Sequence, residues 1–443
     1  MPRILSVLLA APFVGAAMVL SGCAASTQQT KASAAVAAAP GGPGGSGGGP
    51  GSSSPKYTPT GAYTLTGGNA SKTDTRLSAG KVDQSAVLVS KSGSLTLTDP
   101  AIRKTGNTKS TDESSFYGLN AGVLAESGGT VKISGGSVTT RGTGANGVFA
   151  YGSKSSISLS NTTIKTVTNE SDGDAHGAMA SGGGSITLRN VNISTKGAHS
   201  SDVATDRGGG TVTVVGGTMT ADGDGSPGIY STGKITATDA TFTAAKSEGA
   251  VVEGSNSVSV RNTKLTGAKN GVMLYQSFSG DAQVGTGAFV MDGGSLTAKG
   301  GDAFFIKNTK AVVIVKNGAV VRQSSGNLID AASKGYATFT ADGERLTGDV
   351  ITDASSTAAV TLKNHSTLTG KINKAALTLD STSTWVVTAD STLTGLTDTA
   401  GISGGKVTNI VGNGHNVYYD SAANSGLGGK TYSLVNGGQL IPK

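Results

Sequence analysis

Residues 130–140 read TVKISGGSVTT, and the spacing inside this stretch decides the fold. With Val131 as position zero, Ile133 stands at plus two, Gly135 at plus four and Val138 at plus seven. The same figure starts again at Ile157, Ile186, Val212, Ile235, Val258 and Phe289, and further copies start at Leu95, Val313 and Phe339. Alternation at zero and plus two sends two apolar side chains to one face of a strand, while Lys132 or Thr187 points the other way. Plus four holds only Gly, Asn or Asp, the residues that tolerate a left-handed backbone, so a bend is expected there. Plus seven (Val138, Ile164, Ile193, Met219, Phe242, Leu265, Leu296) then opens a second short strand facing the same interior. From Val131 to Phe339 the starts advance by 23 to 31 residues. A unit of strand and turn repeating at that period implies a solenoid whose coils stack on one another. The expected fold is an all-β, single-stranded parallel β-helix, wound right-handed as parallel crossovers are.

Composition agrees. Charged residues are 14%, and Gly is 69 of 443, about twice the ordinary share, which suits a narrow core with many turns. The net charge of +7 comes from Lys and Arg scattered singly, with one Trp and nine Phe in the chain. A nucleic-acid surface would want a clustered basic stripe with aromatics, so no nucleic-acid partner is expected.

Cys23 is the only cysteine, which excludes an internal disulfide. Before it stand Arg3, an apolar run broken by Pro12, and Leu20-Ser21-Gly22-Cys23. This ending resembles a bacterial lipoprotein signal, which implies lipidation of Cys23 and a membrane partner through the lipid anchor. With the uncharged Ala24 next, the resemblance implies outer-membrane rather than inner-membrane sorting in a Gram-negative source. An uncleaved span would want about 20 apolar residues. Residues 1–23 are therefore read as signal and lipobox, and residues 24–59, rich in Gly, Ala, Ser and Pro, as a tether that buries no core.

Residues 60–346 are expected to form the cap and regular coils, with Tyr63 and Leu65 sealing the first. Two stretches break the rhythm: 102–119, the first candidate for a binding loop, and 276–287 (QSFSGDAQVGTG), which separates Tyr275 from the strand at Phe289. Past Leu346 the phrase loosens: Val360, Leu362 and Asn364 fit, but the plus-seven apolar residue slips to Leu368. Residues 347–443, with Trp385 and GHNVYYD, resemble the closing, autochaperone-like end of autotransporter passenger domains. From Tyr63 onward the chain resembles bacterial surface β-helix adhesins, most clearly in FYGLNAGVLA, GVMLYQS and GGKTYSL. No translocator barrel follows Lys443, so self-export is not implied.

A further short strand precedes each phrase, and four residues after its start come Glu126, Tyr151, Ser181, Asp206, Thr232, Glu253, Tyr275 and Ile306. Stacked in register, these form one outward column, with Arg207 beside it. On one reading Glu126, Tyr151, Asp206, Arg207, Glu253 and Tyr275 are a binding column for a surface glycan or a cell-surface receptor, the tyrosines serving as platforms for sugar rings. On the other they are ordinary solvated turn residues. Asp206 and Glu253 stand two coils apart, about 9.6 Å, near the upper limit for an inverting glycosidase pair, so a polysaccharide-active enzyme is the alternative function. Against catalysis, no acidic pair or ladder like that of pectate lyases or polygalacturonases occurs. His176, His199, His365 and His415 lack metal-ligand spacing and are read as surface residues. Calcium-roll nonapeptides and phosphate loops are absent as well, so neither a metal nor a cofactor is expected.

Overall fold

The computed structural model describes residues 55–168, 173–398 and 400–443. Cys23 and most of the tether lie outside the described residues. The chain forms a β-solenoid of about 15 turns, 55% strand and 3% helix, with parallel stacked coils.

The eleven-residue phrase builds two of the three walls. Ile157 lies beside Val131 on one side and Ile186 on the other, and Leu159 sits likewise between Ile133 and Leu188. Ile164 stacks between Val138 and Ile193 on the next wall. All of these side chains are buried in one continuous core. Each contributes about 1.5–3 kcal/mol relative to exposure, so the repeat supplies most of the driving force. At the bend every expected position is left-handed: Asp99, Gly135, Asn161, Asn190, Gly216, Asp239, Asn262, Gly293, Asn317, Gly343 and Asn364 have φ between +47° and +72°. Gly135 has a second reason to be glycine, since a Cβ there would meet Asp99 Oδ1 at 1.8 Å.

Three sheets result. The first has 12 strands, from Thr60–Thr66 to Asp349–Thr352; the third has ten, from Arg76–Ala79 to Val320–Gln323; the second runs on to the C-terminus. Beyond the first and third sheets the coil shortens, which is why the phrase loosens. Val360 and Leu362 pair with Leu377 and Leu379, a step of 17 residues. Leu368 stacks between Leu346 and Trp385, so the slipped apolar residue keeps its column. Trp385 is fully buried, and its Nε1–H donates to the Gly370 carbonyl at 2.9 Å. Antiparallel pairs, Ile402–Ser403 with Lys406–Val407 and Tyr432–Ser433 with Gln439–Leu440, end the stack.

Two interior residues depart from pattern. Lys104, between Ala79 and Thr140 in the third sheet, points inward and is fully buried. Its ammonium donates to the Lys81, Thr105 and Gly106 carbonyls, and burial lowers its pKa to about 8. His176, expected at the surface, is buried instead; its Nδ1 accepts the Ser201 N–H at 3.1 Å, and burial lowers its pKa to about 3.

Candidate functional site

The first sheet differs from the others because, from Gln84–Ser90 to Val272–Tyr275, both of its faces are covered. In Val148–Tyr151, Val148 and Ala150 enter the inner core, while Phe149 points outward into a second apolar cluster. That outer cluster runs up the sheet through Leu124, Phe149, Met179, Ala204, Tyr230, Val251 and Met273. The two stretches that break the repeat run against this face.

In residues 102–119 the chain makes a helix, α1, Thr111–Tyr117. Ser110 caps it, accepting the Glu113 N–H at 3.2 Å, and Gly118 ends it at φ +76°. Close packing fixes that glycine, because a Cβ would meet Phe149 and Leu124 at 2.6 and 2.7 Å. Phe116 and Tyr117 are buried: the Phe116 carbonyl accepts Ser181 Oγ–H at 2.6 Å, and Tyr117 packs edge-on against Tyr151 at 5.1 Å.

The 276–285 loop covers the next coils. Arg207 donates from Nη2 and Nε to Asp281 Oδ1 at 2.6 and 3.2 Å, while its guanidinium lies 3.8 Å over the Phe116 ring. This one side chain therefore joins α1, the sheet and the loop. Glu253 is fully buried and accepts three hydroxyls: Tyr230 and Ser277, and Tyr275 at 2.9 Å. The Ser255 N–H to Gln283 carbonyl bond (2.8 Å) fixes the far end of the loop. At its outer side Phe278 and Val284 are 95% and 78% exposed.

The expected column exists in register: Tyr151 pairs with Ser181, Ser181 with Asp206, and Glu253 with Tyr275. Two corrections follow. Tyr275 pairs with Lys307, not Ile306, which faces the inner core. Asp206, Glu253 and Tyr275 are not solvated turn residues or open platforms but are buried under distant chain. Glu126 and Tyr151, partly covered, remain the accessible members. Tyr230, Ser277, Asp281 and Phe116 belong to the cluster and were not anticipated. Tyr230 lies in the adjacent outward column, but the Arg207–Asp281 contact spans 74 residues and leaves no local trace.

Burial sets the electrostatics. The Asp206 carboxyl is pushed well above the carboxylate range, first by burial and then by the charge of Asp281. Burial and the neighbouring Glu253 charge raise the Tyr230 and Tyr275 phenols in the same way. Glu126 is raised by burial, and Tyr151 by burial and then by Tyr117 and Glu126. Two clefts lie elsewhere: one of about 370 Å³ by Leu396, Asp398 and Tyr432, and a groove of about 440 Å³ by Lys132, Thr187 and Arg189.

Among the described residues, no group of three or more His, Cys, Asp or Glu is placed to hold a metal, and no helix is long and apolar enough to cross a membrane. Fold and site together define a parallel β-solenoid with one doubly covered sheet. No protein-family model matches the chain, and neither the curated proteins nor the solved structures contain a significant match.

Proposed function

We propose that the chain is a lipid-anchored cell-surface β-helix protein, tethered through Cys23, that acts as an adhesin-like or structural binding protein without catalysis. The binding surface is the outer face of the first sheet, and its ligand is a surface glycan or a cell-surface receptor. The observation that carries the non-catalytic reading is the state of Glu253. It would be the natural catalytic carboxylate of the column, yet it has no exposed surface and its oxygens are taken by Tyr230, Tyr275 and Ser277. Contact then falls to Tyr151, Glu126 and the exposed Phe278 and Val284, aromatic and apolar anchors of the kind that dominate binding energies.

The alternative, a polysaccharide-active enzyme, has one observation in its favour. Burial and then the charge of Asp281 push the Asp206 carboxyl well above the carboxylate range, the direction a general acid requires. A glycan array with Tyr151→Ala and Phe278→Ser variants of the chain, run beside a polysaccharide turnover assay, separates the two. The adhesin reading expects weakened binding in both variants and no product; product formation abolished by Asp206→Asn would overturn it. For the anchor, mass spectrometry of the N-terminal peptide from membranes should show acylated Cys23, and Cys23→Ser should release the protein.

A further inference from the structure

Besides the Ser277–Glu253 and Ser255–Gln283 bonds, the 276–285 loop is held against the first sheet through one arginine flanked by two carboxyls. The Arg207 main-chain N–H donates to Asp206 Oδ1 at 2.7 Å, and its guanidinium donates twice to Asp281 Oδ1. The remaining oxygens, Asp206 Oδ2 and Asp281 Oδ2, are buried and have no hydrogen-bond partner. Both residues are at most 2% exposed. A buried carboxylate oxygen without a donor is destabilising, and two charged carboxyls beside one arginine repel each other. A proton on Asp206 removes its uncompensated buried charge and the repulsion from Asp281.

We infer that a proton held on Asp206 latches the 276–285 loop over the outer face of the first sheet. Ionisation of Asp206 releases the loop and exposes Tyr230, Glu253 and Tyr275. The latch regulates the face assigned above to binding and rests on that assignment for its purpose, but it is measured without any ligand. The groups that face Asp206 are few. Arg207 follows it directly in sequence, Asp281 comes from the loop, and Glu253, which ends Ala250–Glu253, accepts the hydroxyls of Tyr230, Tyr275 and Ser277. Tyr230 and Tyr275 are neutral, and α1 brings Asp112 and Glu113, the latter accepting the Lys56 N–H at 3.0 Å. Arg207 is the only cation in this set. Because the closed state raises the Asp206 pKa, closure is strongest at acid pH and weakens as pH rises above the ordinary Asp range, until Asp206 is ionised in both states.

The experiment is hydrogen exchange of the loop amides in the full chain between about pH 5 and about pH 9, each protection factor corrected for the intrinsic rate at its pH. With one proton released on opening, protection should fall about tenfold per pH unit across the window in which Asp206 titrates. Asp206→Asn supplies an amide donor at every pH and should give a closed loop with no slope. Asp281→Ala, which removes the Arg207 anchor, should lower loop protection at every pH, with the coils still protected. Flat protection in the native chain, or an undiminished slope in Asp206→Asn, overturns the latch. Should Asp206→Asn fail to fold, Asp206→Ser serves, since it too removes the titrating carboxyl and must abolish the slope. No glycan binding by the native chain, with the slope intact, would sink the binding assignment and leave the latch standing.

Discussion

Thr130–Ser134 and Val203–Asp206 are both short strands of the same solenoid, yet they are held in different ways. In the first, Val131 and Ile133 are buried while Lys132 and Ser134 are exposed, as alternation requires. In the second all four residues are buried, because α1 and the 276–285 loop cover the outer side as well. Burial of the inner face follows from the spacing of eleven residues. Burial of the outer face depends on chain that arrives from far along the sequence.

The sharpest way to break this comparison is to remove an inner ring. Phe304 packs between Phe289 and Phe339 at 6.0 and 5.6 Å, so Phe304→Ala should cost about 3–5 kcal/mol in denaturant unfolding. Loss below about 1 kcal/mol would contradict the continuous inner core. The two column tyrosines should then separate. Tyr275→Ala, buried and bonded to Glu253, should cost about 3 kcal/mol, whereas Tyr151→Ala, partly exposed, should cost about 1 kcal/mol. Equal losses would mean that the loop does not seal the outer face.

At the bend the contrast is conformational. Asn190 has φ +51°, so Asn190→Val should cost about 1–3 kcal/mol, while Thr187→Val on a strand should change stability by about 0.5 kcal/mol or less. Matching melting temperatures would refute the turn. The smallest effect is a pH trend at Lys104. Its folded pKa of about 8 lies below the ordinary 10.5, so the folded state binds fewer protons between those values and the first coils should gain stability as pH rises through that window. In Lys104→Met the melting temperature should lose that rise.

These differences mark what could be read from the residues. The inner register, the bends and even the slip to Leu368 were legible, because a period-two alternation and a left-handed position are local constraints. Column membership was legible too, apart from the step at Lys307, where the loop before Phe304 lengthens by one residue. Whether a column member was wet or dry was not legible. Asp206 and Glu126 carry the same kind of group in the same column, and only the docking of α1 and of the Asp281 loop distinguishes them. Lys104 shows the same gap from inside: a lysine at an inward position reads as an error until the three carbonyls that receive it are placed.

The covering of the outer face is most directly tested by spectrophotometric titration of tyrosinate in the full chain and in a version with residues 276–285 replaced by a short Gly-Ser linker. Tyr230 and Tyr275 should resist ionisation in the intact chain and titrate near the ordinary tyrosine range once the loop is gone, with the strand signal in circular dichroism unchanged. Identical titration curves for the two proteins would contradict a sheet sealed on its outer side by distant chain.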